Sequence, residues 1–491
     1  VIPDSTSNDE NGGAIMKRRG TCSFEEKILV RRQVQDCFDY LVDLTNLQEW
    51  NPAVISVKKT SKGPPAVNSE YVLKFQLGLM EIPLQARLTK VDDGQKIIFI
   101  AENQFLQLED HIDFSQEGEM AGIHYRSQLK LNGYLERMTP AMQFLFRRSA
   151  KNSITRLEKA LGEQPEYIPP TPLEQIADRM ILPALAKFSR FGYQLEHRDW
   201  APYAGTLKHK NALVLMGSGS ISRVTAMSLA RLGARVIAVG ADEQQGEALV
   251  RDIAEETGQS IIFEKSDLAE VSQAMDVAHR VYQHCNELHL LINCTDQVIN
   301  KRIVTKDGLE RTLAQHLIGP FVFVESVFSL LKQAGESRLI SMAAPSIYTQ
   351  RLHLDDLQFK QKPYNGTVAY ARAKRGVVDL TEVWSEKWRH DGVIAHSMNP
   401  GWADDQEHHA RSMTQRLMKP LLRTPEQAAD TIIWLATSPS VTETSGLFWL
   451  DRRPHPTAVI GGTKTPPRQQ KRLYETLHGF WDRLTQKETG T

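Results

Sequence analysis

The chain has 491 residues, enough for two or three domains with cores of their own. Hydrophobic residues make up 41% and charged residues 24%, and 59 acidic side chains balance 59 basic ones, so the chain has no net basic field for nucleic acid. Four cysteines (Cys22, Cys37, Cys285, Cys294) show neither metal spacing nor the density of a disulfide scaffold, and no apolar run reaches the roughly 20 residues of a membrane span, which argues for a cytoplasmic protein with reduced thiols, no metal and no stable membrane insertion.

The first stretch, residues 1–22, is polar and rich in Gly, Asn and Ser, with no signal-peptide core; it reads as a disordered tail, and Met16 is a candidate start. Phe24 to Val30 then alternates like a strand. Val34 to Leu44 has helical periodicity, and Leu47-Gln-Glu-Trp50 forms a second short helix before Pro52. Alternating segments follow at about Val54–Thr60, Glu70–Leu77, Glu81–Val91, Lys96–Glu102, Leu106–Phe114 and Ala121–Leu131. Lys62-Gly-Pro-Pro65, Asp92-Asp-Gly94 and Glu117-Gly118 supply turns between them. Pro140 to Leu161 reads as one long amphipathic helix. This order, with the phrase FDYLVDLTNLQEWNP, resembles the START-like superfamily, also called polyketide cyclase-like or SRPBCC. The resemblance covers residues 23–163 and implies an α+β helix-grip domain, with an antiparallel sheet around the long helix and an apolar cavity between them. Phe38, Trp50, Phe75, Phe99 and Tyr125 either line such a cavity or are simply core. His111 and His124 read as strand residues rather than ligands.

Residues 164–207 form a linker: Pro165, Pro169-Pro170 and Pro172 stiffen it, and Leu173 to Tyr193 returns to helical period. That helix either docks on the next domain or lies on a membrane surface.

From 208 to 451, β and α patterns alternate, which predicts an α/β doubly wound parallel sheet with helices on both faces. Strands are expected at Asn211–Met216, Arg235–Val239, Ile261–Glu264, Leu288–Ile292, Arg338–Ser341 and Val393–Ser397. Gly217-Ser-Gly219-Ser-Ile221-Ser222 is a small-residue turn before a helix, suited to bringing backbone amides to a pyrophosphate. Tyr370-Ala-Arg-Ala-Lys374 places a phenol and an ammonium on one helix face, one turn apart. An ammonium beside a phenol favours the phenolate, so such a Tyr exchanges protons with a carbonyl or alcohol near neutral pH.

The run RVTAMSLARLGARVIAV, SDLAEV, LHLLINC, YARAK and NPGWAD resembles the short-chain dehydrogenase/reductase family in order and spacing. FSRFGYQ, PGWAD and SGLFWLDRRP are similar to the group of dehydrogenase/reductase SDR family member twelve, which places the tail after Leu450 with this domain. Residues 452–491 then add an extension with a helix near Gln469–Leu484. The resemblance implies an oxidoreductase of the Rossmann type using NAD or NADP. Tyr370 would be its acid/base and Lys374 the holder of the nicotinamide ribose. Gly217, Gly219 and Ile221 match the phosphate turn, Asp267 and Leu268 the adenine contact, and Asn293 the fourth-strand motif. Pro400, Gly401 and Trp402 match the turn beside the carboxamide. The sequence departs from the family in four places. Ala343 and Ala344 stand at the catalytic Ser positions, with Ser341 and Ser346 as the nearby hydroxyls. His316 stands for the structural Asn, either relaying a proton or filling space. Ser220 and Ser222 replace turn glycines, which crowds the pyrophosphate approach. Ala241 stands where close relatives carry Arg, and Asp242 favours NAD through the ribose hydroxyls. Three readings stay open: an oxidoreductase of apolar alcohols or carbonyls, a pseudoenzyme scaffold, or a carrier of a small hydrophobic ligand. A homo-oligomer is compatible with each.

Overall fold

The computed structural model describes residues 20–77, 80–118, 120–133, 136, 139–161, 187–197, 200, 207–404, 419–459 and 462–488. Residues 1–19 of the polar tail, the prolines of the linker and most of the helix expected at Leu173–Tyr193 lie outside the described residues, whereas Thr21 and Cys22, expected in the tail, pair with Lys130 and Leu129 at the start of the first strand. The chain divides into two compact units, one of residues 1–61 and 65–163, the other of 62–64 and 164–491.

The first unit is one seven-stranded antiparallel sheet in the order β1-β7-β6-β5-β4-β3-β2. Its strands are β1 (Thr21–Val30), β2 (Val54–Lys59), β3 (Glu70–Leu77), β4 (Met80–Asp92), β5 (Lys96–Glu102), β6 (Leu106–Glu117) and β7 (Met120–Leu131). Two short helices, α1 (Val34–Val42) and α2 (Leu47–Trp50), separate β1 from the rest, and α3 (Thr139–Leu161) closes the unit. Alternation decides which strand face is wet: Ile97, Phe99 and Ala101 of β5 point inward and are buried. Helical period does the same for α3, whose Met142, Phe146, Ala150, Ile154, Leu157 and Leu161 are buried. Phe38, Trp50, Phe75, Phe99 and Tyr125 all belong to this core.

One inward position of β6 carries a charge. Asp110 is 1% exposed, between buried Leu108 and Ile112. Tyr125 Oη donates to its Oδ2 at 2.6 Å, and Ser127 Oγ donates to its Oδ1. The Trp50 ring stands edge-on to Tyr125, with centroids 6.0 Å apart. Burial pushes the Asp110 carboxyl up to about 6, against the lowering effect of the two hydroxyl donors.

The second unit is an eight-stranded sheet, parallel over seven strands, in the order β10-β9-β8-β11-β12-β13-β14-β15. The strands are β8 (Asn211–Leu215), β9 (Arg235–Gly240), β10 (Ile262–Lys265), β11 (Leu290–Asn293), β12 (Ser337–Met342), β13 (Val393–Met398), β14 (Phe448–Leu450) and β15 (Arg453–His455). The last two, the final one antiparallel, extend the sheet beyond the six strands expected from the sequence. Ala212 to Leu215 and Leu290 to Ile292 are buried, as strands covered on both faces must be. The strand order reverses between β8 and β11, which opens a crevice beyond their carboxyl ends.

In the connection, α4 (Arg190–Glu196) starts afresh rather than continuing a helix through Tyr193. Ser189 is extended and its Oγ accepts from Gly192 N at 3.4 Å. Helical periodicity continues across a cap of this kind, so the sequence pattern does not show the break.

Asp110 gives a pH test. Its folded carboxyl holds a proton more tightly than the ordinary value of 3.8, so the unfolded chain loses that proton first as pH rises. Stability from this group is therefore fully present below about pH 4 and falls by about 2–3 kcal/mol between about pH 4 and 6. Asp110→Asn removes the charge; its amide oxygen accepts from one hydroxyl and its amide nitrogen donates to the other. Urea unfolding should show the variant gaining about that much on wild type between pH 4 and 8; a difference independent of pH would contradict the assignment.

Candidate active site

The crevice is walled by four loops and one helix. The first loop, Gly217–Gly219, joins β8 to α5 (Ser220–Arg231), with Gly219 at the helix N-cap. Gly217 is required by packing: a Cβ there would lie 2.5 Å from Cys294 O and 2.8 Å from Asp296 N. Ser218 N and Oγ both donate to Asp296 O, at 3.4 and 3.0 Å. Ser222 Oγ donates back to Gly219 O at 3.1 Å and to Gly217 O at 3.4 Å, and Ile221 is buried below. The Ser222 hydroxyl therefore hydrogen-bonds the turn itself.

The second loop follows β11. Asn293 Oδ1 accepts from Thr295 N at 3.1 Å and Thr295 Oγ1 at 2.9 Å, which folds the chain sharply after the strand. Asp296 is thereby placed between the glycine turn and the helix α11 (Gly366–Lys387), which carries Tyr370 and Lys374. Asn365 caps α11 by accepting from Val368 N at 3.1 Å.

On α11, Lys374 is fully buried and donates to Thr295 O at 2.5 Å and Met342 O at 2.8 Å. Tyr370 is 7% exposed, and its hydroxyl donates to Asp296 Oδ1 at 2.6 Å. The Lys374 ammonium lies 5.8 Å from the centroid of the Tyr370 ring. The structure thus brings together the two residues of the YARAK motif and adds Asp296, which no local pattern in the sequence singles out. Its only sequence signal is a carboxylate three residues beyond the strand-end Asn293.

His316 sits in a single π turn, Ala314–Ile318, between α8 (Arg311–Leu313) and α9 (Gly319–Ser326). Such a turn inside a helix shifts the phase of the following side chains and recurs at functional sites. The His316 ring packs edge-on to Tyr370 with centroids 5.3 Å apart. Its Nε2 lies 2.8 Å from Gln297 O; a carbonyl only accepts, so the proton is on Nε2. Nδ1 is buried with no hydrogen-bond partner among the described residues. Burial, then the charge of Lys374, pushes the imidazole down to about 4, so the ring is neutral at pH 7. Its stabilising contribution is present above about pH 6.5 and is lost as pH falls toward 4.

The third and fourth loops follow β12 and β13. Ala343 and Ala344 are buried at the strand end. The Oγ atoms of Ser341 and Ser346 are also buried, with no hydrogen-bond partner among the described residues. Pro400, Gly401 and Trp402 form a turn held from behind by Arg423. Gly401 has φ 76°, and a Cβ there would lie 2.4 Å from Arg423 Nε. Arg423, 1% exposed, pairs both Nη atoms with Asp451 at 2.6 and 2.8 Å and donates to Phe188 O and Lys187 O. Trp402 N also donates to Phe188 O, at 2.8 Å. A bidentate pair of this kind holds its loop only because both charges are matched; removing either partner leaves an uncompensated buried charge.

Two of the sequence candidates lie toward the other end of the crevice. Asp267 accepts from Arg311 Nη2 at 2.8 Å and from Ala269 N at 3.0 Å, beside buried Leu268. Asp242 is exposed and caps α6 (Glu243–Thr257), accepting from Gln245 N at 3.1 Å. Among the described residues no group of His, Cys, Asp or Glu is arranged to hold a metal ion, and no helix is long and apolar enough to cross a membrane.

A family model described as short chain dehydrogenase matches residues 210–415, and one described as polyketide cyclase / dehydrase and lipid transport matches residues 21–162. Dehydrogenase/reductase SDR family member 12 of Homo sapiens is 30% identical over 305 residues, covering 60% of this chain and 93% of that protein. Retinol dehydrogenase 13 of Homo sapiens is 25% identical over 286 residues, covering 55% and 86%. The solved structure of a short-chain type dehydrogenase/reductase from Mycobacterium ulcerans is 17% identical, with a TM-score of 0.42, covering 50% of this chain and 88% of that one. With its seven parallel strands, its crevice at the strand-order reversal and its Tyr370–Lys374 pair, the chain belongs to the short-chain dehydrogenase/reductase family, its dehydrogenase unit following a unit of the polyketide cyclase-like type.

Proposed function

We propose that the second unit is an oxidoreductase that exchanges hydride between a nicotinamide dinucleotide and an apolar alcohol or carbonyl, and that the first unit binds a small hydrophobic ligand. The observation that carries the reading is the placement of Tyr370 and Lys374, one helical turn apart, at the switch point and behind the glycine turn. The crevice residues fit a dinucleotide. The backbone amides opening α5 suit its pyrophosphate, Asp267 its adenine, Lys374 and Asn293 its ribose side, and the Pro400–Trp402 turn its carboxamide. When bound, that group would supply or accept the hydride. The apolar substrate class is supported by the description of the first unit's family and by the name of the retinol dehydrogenase relative.

The chain's own residues handle the proton. A carboxylate can only accept, so Tyr370 presents its proton to Asp296 and its oxygen lone pairs to the crevice. In that polarity an alcohol hydroxyl can donate to Tyr370 while Tyr370 donates to Asp296. A carbonyl substrate must instead draw the phenol proton away from Asp296. With alanines at 343 and 344, the Tyr370–Asp296 pair is the polar group facing substrate oxygen. Neutral His316 packs against the Tyr370 ring and fixes its position.

A pseudoenzyme reading is favoured by one observation, that Tyr370 and Lys374 donate to the chain's own acceptors. Tyr370→Phe separates the readings. Nicotinamide absorbance with a panel of apolar alcohols and ketones should show turnover by the wild type and a loss of roughly 100- to 10,000-fold in the variant. Equal rates would remove Tyr370 from the chemistry, and no turnover by either would favour the pseudoenzyme.

Asp296→Asn reverses the hydrogen-bond polarity, because its amide donates to the phenol oxygen and releases the phenol proton toward a ketone. With the oxidised dinucleotide bound, the ketone's dissociation constant should fall by about 5- to 10-fold, the worth of one hydrogen bond; an unchanged constant would contradict the polarity argument. Ala241 and Asp242 at the end of β9 lead to a further expectation. NADH should bind more tightly than NADPH, since an anionic side chain repels a 2′-phosphate and no Arg stands there to receive it. The reverse order in calorimetry would contradict that reading.

A further inference from the structure

The long helix of the first unit has two unlike faces. Met142, Phe146, Ala150, Ile154, Leu157 and Leu161 are buried in the core. On the opposite face Phe144, Arg148, Lys151, Thr155 and Lys159 follow one another at spacings of three and four, and all are exposed. They form one stripe about 22 Å long at a rise of about 1.5 Å per residue. Arg147 and Arg156 flank it and are also exposed. The outer face thus carries five cations against one carboxylate, Glu158, in a chain whose formal net charge is zero. None of the five is ion-paired to an acidic side chain among the described residues. At the amino end of the stripe stand Phe144, 67% exposed, and Leu145, 52% exposed. Phe144 is the most exposed large apolar side chain among the described residues.

We propose that this face of α3 docks the protein on an anionic lipid surface, lying in the interface with Phe144 and Leu145 inserted and the cations against headgroup phosphates. Two observations point the same way. Five clustered cations without acidic partners seek a surface of the opposite sign, and the attraction adds up over a negatively charged bilayer. The adjacent aromatic and aliphatic side chains gain only from an apolar sink, which the acyl boundary supplies. A nucleic acid would satisfy the cations, but its backbone offers no place for Leu145. Peripheral docking of this kind needs no spanning segment. It would bring the unit to the phase in which an apolar ligand is dissolved, and in that respect it builds on the proposal that the first unit binds such a ligand. The docking itself is measured without any ligand, so the two stand or fall separately.

The test is co-sedimentation of the full-length protein with vesicles. Vesicles of phosphatidylcholine with about 30% phosphatidylserine should pull the protein down at about 0.05 M salt and release it at about 0.5 M, where charges are screened over a few ångströms. Phosphatidylcholine alone should bind weakly or not at all. Arg148→Gln/Lys151→Gln/Lys159→Gln should lower partitioning by roughly 100-fold, at about 1 kcal/mol per cation. Phe144→Ser/Leu145→Ser should lower it further without altering the salt dependence. All five positions are exposed, so the thermal midpoint should stay where it is. No sedimentation with phosphatidylserine at low salt, equal binding to both vesicle types, or full retention by the triple variant would overturn the proposal. So would retention on single-stranded RNA with none on vesicles.

Discussion

The second unit depends on the burial of one ammonium. Lys374 has no exposed surface, and a buried cation is tolerated only where acceptors surround it. Here the acceptors are Thr295 O, just beyond β11, and Met342 O, at the end of β12. Lys374 therefore draws the ends of two adjacent strands toward α11. The same contraction brings Asp296 to Tyr370 and stacks the loop after β11 against the glycine turn. Gly217 follows from this, since only a residue without Cβ lets Cys294 O and Asp296 N come so near. One charge thus ties the glycine turn, the strand ends and the Tyr370 phenol into a single arrangement.

Much of this was legible in the sequence because it rests on local pattern. Alternation in the first unit gave strands whose limits match closely, with Glu70–Leu77 and Lys96–Glu102 the same in both. The βα rhythm from Asn211 onward gave the parallel sheet, and the four-residue spacing of Tyr370 and Lys374 gave one helix face. What was not legible depends on partners distant in the chain. Arg423 and Asp451 are 28 residues apart, and nothing in either neighbourhood announces a buried pair. Asp296 meets Tyr370 across 74 residues. Strands β14 and β15 are three residues each, too short for periodicity to show. Asp110 was visible in principle: it occupies an inward position between Leu108 and Ile112, where an aliphatic residue would be usual.

Buried charge is met differently at Asp110 of the first unit and at Arg423 and Lys374 of the second. In the first, Asp110 has only hydroxyl donors and no cation, so burial holds its proton on and its charge is a function of pH. In the second, Arg423 and Asp451 neutralise each other bidentately, and Lys374 is held by backbone carbonyls. The matched pair shapes the Pro400–Trp402 turn from behind, while the carbonyl-held ammonium shapes the crevice from below. His316, which stands for the family's structural Asn, borders Tyr370, and Asp296 accepts from the Tyr370 hydroxyl.

The proposed function requires that the crevice around Lys374 receives a nicotinamide dinucleotide. Titration of the full-length protein with NADH, followed by intrinsic tryptophan fluorescence with Trp402 beside the crevice, tests it directly. The wild type should show a saturable change that Lys374→Met weakens by at least about tenfold, about 1.4 kcal/mol. A wild type that shows no change up to about millimolar NADH, or a Lys374→Met variant that binds as the wild type does, would contradict it.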